Sequence, residues 1–182
     1  MKATAASQRW LSCYDHPMKT LYLLRHAKSS WDYEELSDHD RPLAKRGRTD
    51  APLMGQELVE REIKLDLVIS SSAVRAITTA TLVAKELKFS PEQIGVQEEL
   101  YMISAEGLVG FIRSLPDEYN HVMLVGHNPA FTEVANLLSP EKSIANIPTA
   151  GIVAISFDCS YWGEISPDNS KQLFFDFPKN YR

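Results

Sequence analysis

The chain has 182 residues, with 19 lysines and arginines against 24 aspartates and glutamates, for a formal net charge of −5. That balance argues against a nucleic-acid partner, although a local cationic pocket is compatible with an acidic protein, and no apolar run approaches the roughly eighteen residues that span a bilayer. Cys13 and Cys159 form neither a disulfide framework nor a zinc-ligand spacing, which fits a reducing, cytoplasmic setting.

Residues 1–17 lack apolar periodicity and a hydrophobic secretory core, and they close in Asp15-His16-Pro17. They read as a disordered tail or a misassigned start rather than a transit peptide. The remainder, 18–182, is sized for a single domain that buries about two thirds of its extended-chain surface. Residues 19–24 are the first expected strand. Leu21-Tyr22-Leu23-Leu24 is a continuous apolar run, as in a strand buried on both faces, and it breaks abruptly into Arg25-His26-Ala27-Lys28. Ligands gather outside the carboxyl ends of parallel strands, so Arg25 and His26 stand where a site would form. A histidine after a strand is nevertheless a common loop residue, and the pair alone is a weak signal.

Residues 25–43 follow as a long polar loop holding Trp31 and a cluster of acids, and long loops beside a strand end are usually functional. Over 44–60 the apolar positions Ala51, Met54, Leu58 and Val59 recur at helical spacing, with Pro52 expected in the first turns, where its missing donor is tolerated. Residues 66–70 are a second apolar strand ending in Ser70-Ser71-Ser72. A helix over 74–87 follows, with Ile77, Ala80, Thr81, Ala84 and Leu87 on one side and Arg75 at its amino end, where backbone donors already favour an anion. A short strand at 94–97, a helix over 104–115 capped by Ser104, a strand at 122–125 leading into Gly126-His127-Asn128-Pro129, and a helix over 131–138 come next. Strands at 152–157 and 172–177 finish the sheet edge. This alternation predicts an α/β fold, a three-layer sandwich with a mostly parallel central sheet flanked by helices. In such a sheet Arg25, His26, Arg75 and His127 converge at one edge.

Arg25-His26-Ala27, Ser71-Ser72-Ala73-Val74-Arg75-Ala76 and Gly126-His127-Asn128-Pro129 resemble the motifs of the histidine phosphatase superfamily, in particular its SixA-like phosphohistidine phosphatase branch. Asp40-Arg41-Pro42-Leu43 with Arg46-Gly47 resembles that branch's approach to its first helix, and the likeness runs from about residue 19 to 177. The resemblance implies a histidine phosphatase and phosphoglycerate mutase-like fold, with His26 as nucleophile forming a covalent phosphohistidine. It assigns His127 to stabilising the transferring phosphoryl. The chain departs from the superfamily pattern at Lys28, at Asp32 and at Ala73, where relatives often carry an acid or amide, an asparagine and a proline. Asp32 is expected to be carried toward solvent, since a carboxylate beside a dianion would repel it.

The residues independently suit phosphoryl chemistry. Guanidinium forks pair with phosphate in two-pronged fashion and stay charged, and a neutral imidazole beside arginines can attack without a separate base. Lys28 and Ser29 are candidate phosphate contacts. Glu98 and Glu99 are candidate general acids, an ester's alkoxide needing protonation to leave, although both equally suit a solvated turn. A phosphohistidine releases an intrinsically better leaving group and needs an acid less. No metal-ligand spacing and no glycine-rich P-loop occurs, so no metal or other cofactor is expected. The reading is a metal-independent phosphatase acting on a phosphorylated protein, a phosphohistidine, with no nucleic acid or membrane as partner. Its rivals are a phosphomonoesterase acting on a small phosphate ester, a catalytically silent phosphoprotein-binding module, and, less favoured, a mutase.

Overall fold

The computed structural model describes residues 18–182, so the expectations for 1–17, with Cys13 and His16, lie outside the described residues. Six strands, β1 (Lys19–Arg25), β2 (Leu67–Ser71), β3 (Gly95–Gln97), β4 (His121–Gly126), β5 (Ile152–Phe157) and β6 (Ser170–Asp176), form one sheet in the order β3-β2-β4-β1-β5-β6. The pairs β2–β3, β2–β4 and β1–β4 are parallel, whereas β5 runs antiparallel to β1 and β6 antiparallel to β5. The sheet is therefore mixed: the parallel part holds the strands joined by helices, and the last two strands return along its edge.

Side chains alternate across β1, so Leu21 and Leu23 enter one core and Tyr22 and Leu24 the other. The first core is closed by α3 (Ala105–Arg113) and α4 (Ala130–Leu138) through Leu108, Ile112, Phe131 and Val134. The second is closed by α1 (Lys45–Glu60) and α2 (Val74–Glu86) through Ala51, Met54, Leu58, Ala76, Ala80 and Val83. Each such leucine stabilises the fold by about 1.5–3 kcal/mol on burial, which favours the unbroken apolar run from Leu21 to Leu24.

The helices differ from their expected faces in ways that matter for the site. In α1 the buried stripe is Ala51, Met54, Gly55 and Leu58, while Val59 is exposed. Pro52 lies well inside α1, not in its first turns. In α2 the buried face is Arg75, Ala76, Thr79, Ala80, Val83 and Ala84, and Ile77, Thr81 and Leu87 are only half-buried. Reading apolar letters alone rotates the helix, because two of its buried residues are polar and satisfied. The Thr79 hydroxyl accepts the Ala27 N–H at 2.9 Å and donates to the Arg75 carbonyl at 2.6 Å. Ser104 caps α3 as expected, accepting from the Gly107 N–H at 3.1 Å.

Two close approaches hold the segment after β1. A Cβ on Gly47 would overlap the Lys28 carbonyl, so α1 reaches the chain just past His26 only with glycine there. Ala150 adopts a left-handed φ of 59°, a conformation costing a residue with a Cβ about 1–2 kcal/mol. The strain is held where its N–H donates to the His26 carbonyl at 3.1 Å.

Lys19 is fully buried at the other end of β1. Its ammonium donates to the carbonyls of Asp117 (2.5 Å) and Tyr119 (3.2 Å) and to Asn120 Oδ1 (2.9 Å), with the Trp162 ring 5.9 Å away. A buried cation is tolerated when its donors are matched in this way.

Candidate active site

The parallel register brings three strand ends level. Arg25 is opposite Gly126, Val125 is opposite Ser70, and Ser71 opposite Gln97. His26 and His127 each follow by one residue, and the His26 N–H donates to the Gly126 carbonyl at 2.9 Å. Their ring centroids are 5.0 Å apart at 51°. On the other side of β1, the Arg25 N–H donates to the Gly151 carbonyl at 2.9 Å. With its N–H on Gly126 and its carbonyl accepting from the Ala150 N–H, His26 has backbone bonds on both sides, and it sits only 9% exposed.

The His26 Nδ1 lies 2.8 Å from the Ala27 carbonyl. A carbonyl can only accept, so Nδ1 carries the proton and Nε2 keeps its lone pair. Burial pushes the imidazole down to about 4, with the charges of Arg75, Arg25 and Arg41 adding to the effect and the Ala27 hydrogen bond opposing it. Burial also lowers His127, to about 3, reinforced by His26 and Arg75 against the Asp38 charge. The His127 Nε2 meets the Ser71 hydroxyl at 2.8 Å, and that hydroxyl also accepts the Ala73 N–H at 3.4 Å.

Both rings are bases of lowered pKa, so each stays neutral as pH falls until its own low value is reached. In the unfolded chain they take up protons near 6.5, and the folded state therefore loses stability as pH drops from about 6.5 toward those values. An NMR titration of the imidazoles is expected to find His26 and His127 still neutral at about pH 5. Midpoints near 6.5 for either ring would contradict this electrostatic account.

Arg25 donates through one terminal nitrogen to the Ile147 carbonyl at 2.7 Å. Its Nε is buried without an acceptor among the described residues, and burial lowers the guanidinium pKa. Arg75, near the amino end of α2 and 6% exposed, has its guanidinium hydrogen-bonded, among the described residues, to Asp38. It donates to the Asp38 carbonyl and, at 2.9 Å, to Asp38 Oδ2. The same carboxylate accepts from Tyr101 Oη at 2.7 Å and from Arg41 at 2.8 Å. Burial opposes the Asp38 charge, but these hydrogen bonds and the Arg75 charge outweigh it and hold the carboxyl far below the usual carboxylate range.

The remaining expected residues stand apart from this cluster in different ways. Lys28 is exposed, and its side chain has no hydrogen bond or ion pair among the described residues. Ser29 is buried, with its hydroxyl accepting from Arg41 at 2.6 Å. Arg41 also donates to the Ser30 carbonyl at 3.0 Å and lies 3.2 Å over the Trp31 ring, so it organises the loop. Asp32 is exposed and bonded to Ser30, and no hydrogen bond or ion pair joins it to Arg25 or Lys28. Glu98 and Glu99 are exposed in a single 3-10 turn after the edge strand β3, without a side-chain partner among the described residues.

That turn instead delivers Tyr101, whose ring meets His127 edge-on at 5.6 Å and His39 at 4.9 Å. His39 bonds Ser72 at 2.9 Å, so it walls the site as well as belonging to the loop. Asp38, Tyr101 and Thr79 are the neighbours of the four cationic and imidazole groups that sequence reasoning missed, and Ser71 stood in its motif without an assigned role. Asp38 had one visible signal, its position three residues before Arg41. Tyr101 had none.

A family model described as the histidine phosphatase superfamily (branch 1) matches residues 21–136. An uncharacterised chloroplastic protein of Arabidopsis thaliana is 36% identical over 130 residues, covering 66% of this chain and 59% of its own length. The chain thus spans under two thirds of that relative. A SixA-type structure from Agrobacterium tumefaciens superposes with a TM-score of 0.74 at 25% identity, over 88% of this chain and 98% of the other. The protein histidine phosphatase SixA complexed with tungstate gives 0.76 at 22%, over 90% and 99%. This second likeness is one of fold.

Proposed function

Since the chain belongs to the histidine phosphatase superfamily, we propose that it hydrolyses a phosphorylated protein, a phosphohistidine, through a covalent phosphohistidine on His26, without a metal. The observation that carries this reading is the His26 tautomer: Nδ1 bonded to the Ala27 carbonyl at 2.8 Å, Nε2 unprotonated, and the ring neutral by burial. The Nε2 lone pair attacks phosphorus, and the bond from phosphorus to the leaving nitrogen breaks. Water then attacks the phosphorus on His26, the phosphorus–Nε2 bond breaks, and phosphate leaves with the proton shed by water. The charge on the transferring group spreads over its equatorial oxygens, which Arg25, Arg75 and His127 would hold. Lys28, two residues beyond His26, is the further cation available to the substrate. Ser29 accepts from Arg41 and would join by donating its own O–H.

Glu98 and Glu99 are exposed and, among the described residues, without a side-chain partner, which supports a P–N over a P–O substrate, because an ester of an ordinary alcohol depends on a placed acid. A protein substrate is supported by exposed apolar side chains bordering the cluster. Trp31 (70% exposed) lies against Arg41, Met102 (82%) follows Tyr101, and Tyr33 and Leu36 stand on the same loop as Trp31. The single sheet supports reading 18–182 as one domain. Among the described residues, no helix is long and apolar enough to cross a membrane.

The test is phosphate release by the full chain from a phosphohistidine protein, a phosphoserine protein and an aryl phosphate, each with and without chelator. Preference for phosphohistidine, unchanged by chelator, is expected. Faster turnover of the phosphoserine protein would replace this reading with a phosphomonoesterase, and phosphate binding without turnover of any substrate would replace it with a binding module.

A further inference from the structure

Among the described residues, Asp38 is the one carboxylate tied directly to Arg75, and it is half-exposed while Arg75 is buried. Three donors converge on it from three parts of the chain: Arg41 from its own loop, Arg75 from α2 and Tyr101 from the turn after β3. Its position at the mouth of the cluster raises the question of what an acid so firmly ionised could do there. It cannot be a general acid for an alkoxide, since it holds no proton at neutral pH. It would also repel a leaving group that departs as an anion.

We infer that Asp38 acts as a fixed hydrogen-bond acceptor for the leaving group, matching the site to a leaving imidazole whose distal nitrogen is protonated. This rests on the phosphohistidine reading above and deepens it. In a phosphohistidine one ring nitrogen carries the phosphoryl group and the other can carry a proton. The Asp38 carboxylate accepts a hydrogen bond from that distal N–H and so favours the cationic ring. When His26 Nε2 attacks, the electron pair of the breaking P–N bond passes to the ring nitrogen. The imidazolium leaves as a neutral imidazole, and no proton has to be delivered at the broken bond. Arg75 joins the two halves of the chemistry, because one guanidinium fixes the carboxylate and adjoins the phosphoryl position. Arg41 and Tyr101 hold the carboxylate in place, and the edge of the Tyr101 ring lies against His127.

The experiment compares Asp38→Asn with the parent on two substrates, a phosphohistidine peptide and p-nitrophenyl phosphate. The latter has a leaving group that departs as an anion and needs no acid. The amide is isosteric and the residue half-exposed, and melting temperature verifies the fold of the variant. The ratio of kcat/KM values, phosphohistidine over aryl phosphate, is expected to fall about 10- to 100-fold, the scale of a hydrogen bond to a charged group. The alkaline limb of the phosphohistidine profile should move to lower pH, because the amide no longer favours the protonated ring. An unchanged ratio, even with both activities reduced, would overturn the inference and make Asp38 a positioning residue for Arg75. Failure of the parent to use the phosphohistidine peptide would instead overturn the reading of the substrate class. Should Asp38→Asn not fold, Asp38→Ser carries the same two readouts.

Discussion

Replacing His26 by alanine is expected to lower kcat by about 10,000-fold or more, the scale on which losing a covalent nucleophile acts. The size follows from where the alternatives are. The other neutral ring, His127, has its Nε2 engaged by Ser71 at 2.8 Å, and its ring is tilted 51° to that of His26. It cannot take over the attack without abandoning that contact. The measurement is single-turnover labelling with a phosphoryl donor. The parent should hold an acid-labile, alkali-stable label on His26, and the variant should hold none while still binding inorganic phosphate through Arg25 and Arg75. Retained label in the variant would place the covalent step on another residue.

Arg75→Ala is expected to reduce kcat/KM by about 100- to 1,000-fold, as for loss of a preorganised charge stabiliser in other active sites. Two effects add in the same direction. The variant loses a buried cation beside the proposed phosphoryl position, and among the described residues it leaves the Asp38 carboxylate with the hydrogen bonds of Arg41 and Tyr101 alone. Repulsion between that carboxylate and a dianion should therefore appear as a raised KM as well as a lowered kcat. Arg75→Lys should recover only a minor part. The guanidinium reaches Asp38 through two nitrogens, one to its carbonyl and one to its carboxylate, and an ammonium lacks that planar fork. A lysine variant with nearly parental kcat/KM would show that charge alone, without geometry, is what Arg75 supplies.

Much of this arrangement is written in local sequence. The break from Leu24 into Arg25-His26 marks a strand end, because a strand buried on both faces carries polar side chains at a cost and they gather where the sheet gives out. The same signal at Ser70-Ser71 and at Val125-Gly126 locates the other two ends, and the alternation of elements orients them alike. Two elements went differently. The stripe on α2 falls on Ala76, Ala80 and Val83, with polar Arg75 and Thr79 on the same buried face. Val59 points to solvent although it lies next to core residue Leu58. Periodicity reports which letters are apolar, and it misplaces a face wherever buried polar groups find partners.

By itself, then, the sequence determined the strands, the helices and the edge at which Arg25, His26, Arg75 and His127 lie, since those depend on hydrophobic period and the direction of short connections. Tertiary structure alone decided which acid faces them. Asp38 and Asp40 differ by two positions in one loop, yet Asp40 bonds Ser37 and His39 beside it while Asp38 meets Arg75 and Tyr101, 37 and 63 residues away. A hydrogen bond between distant residues leaves no periodic trace in either segment, because its energy depends on a distance that exists only after the sheet has closed.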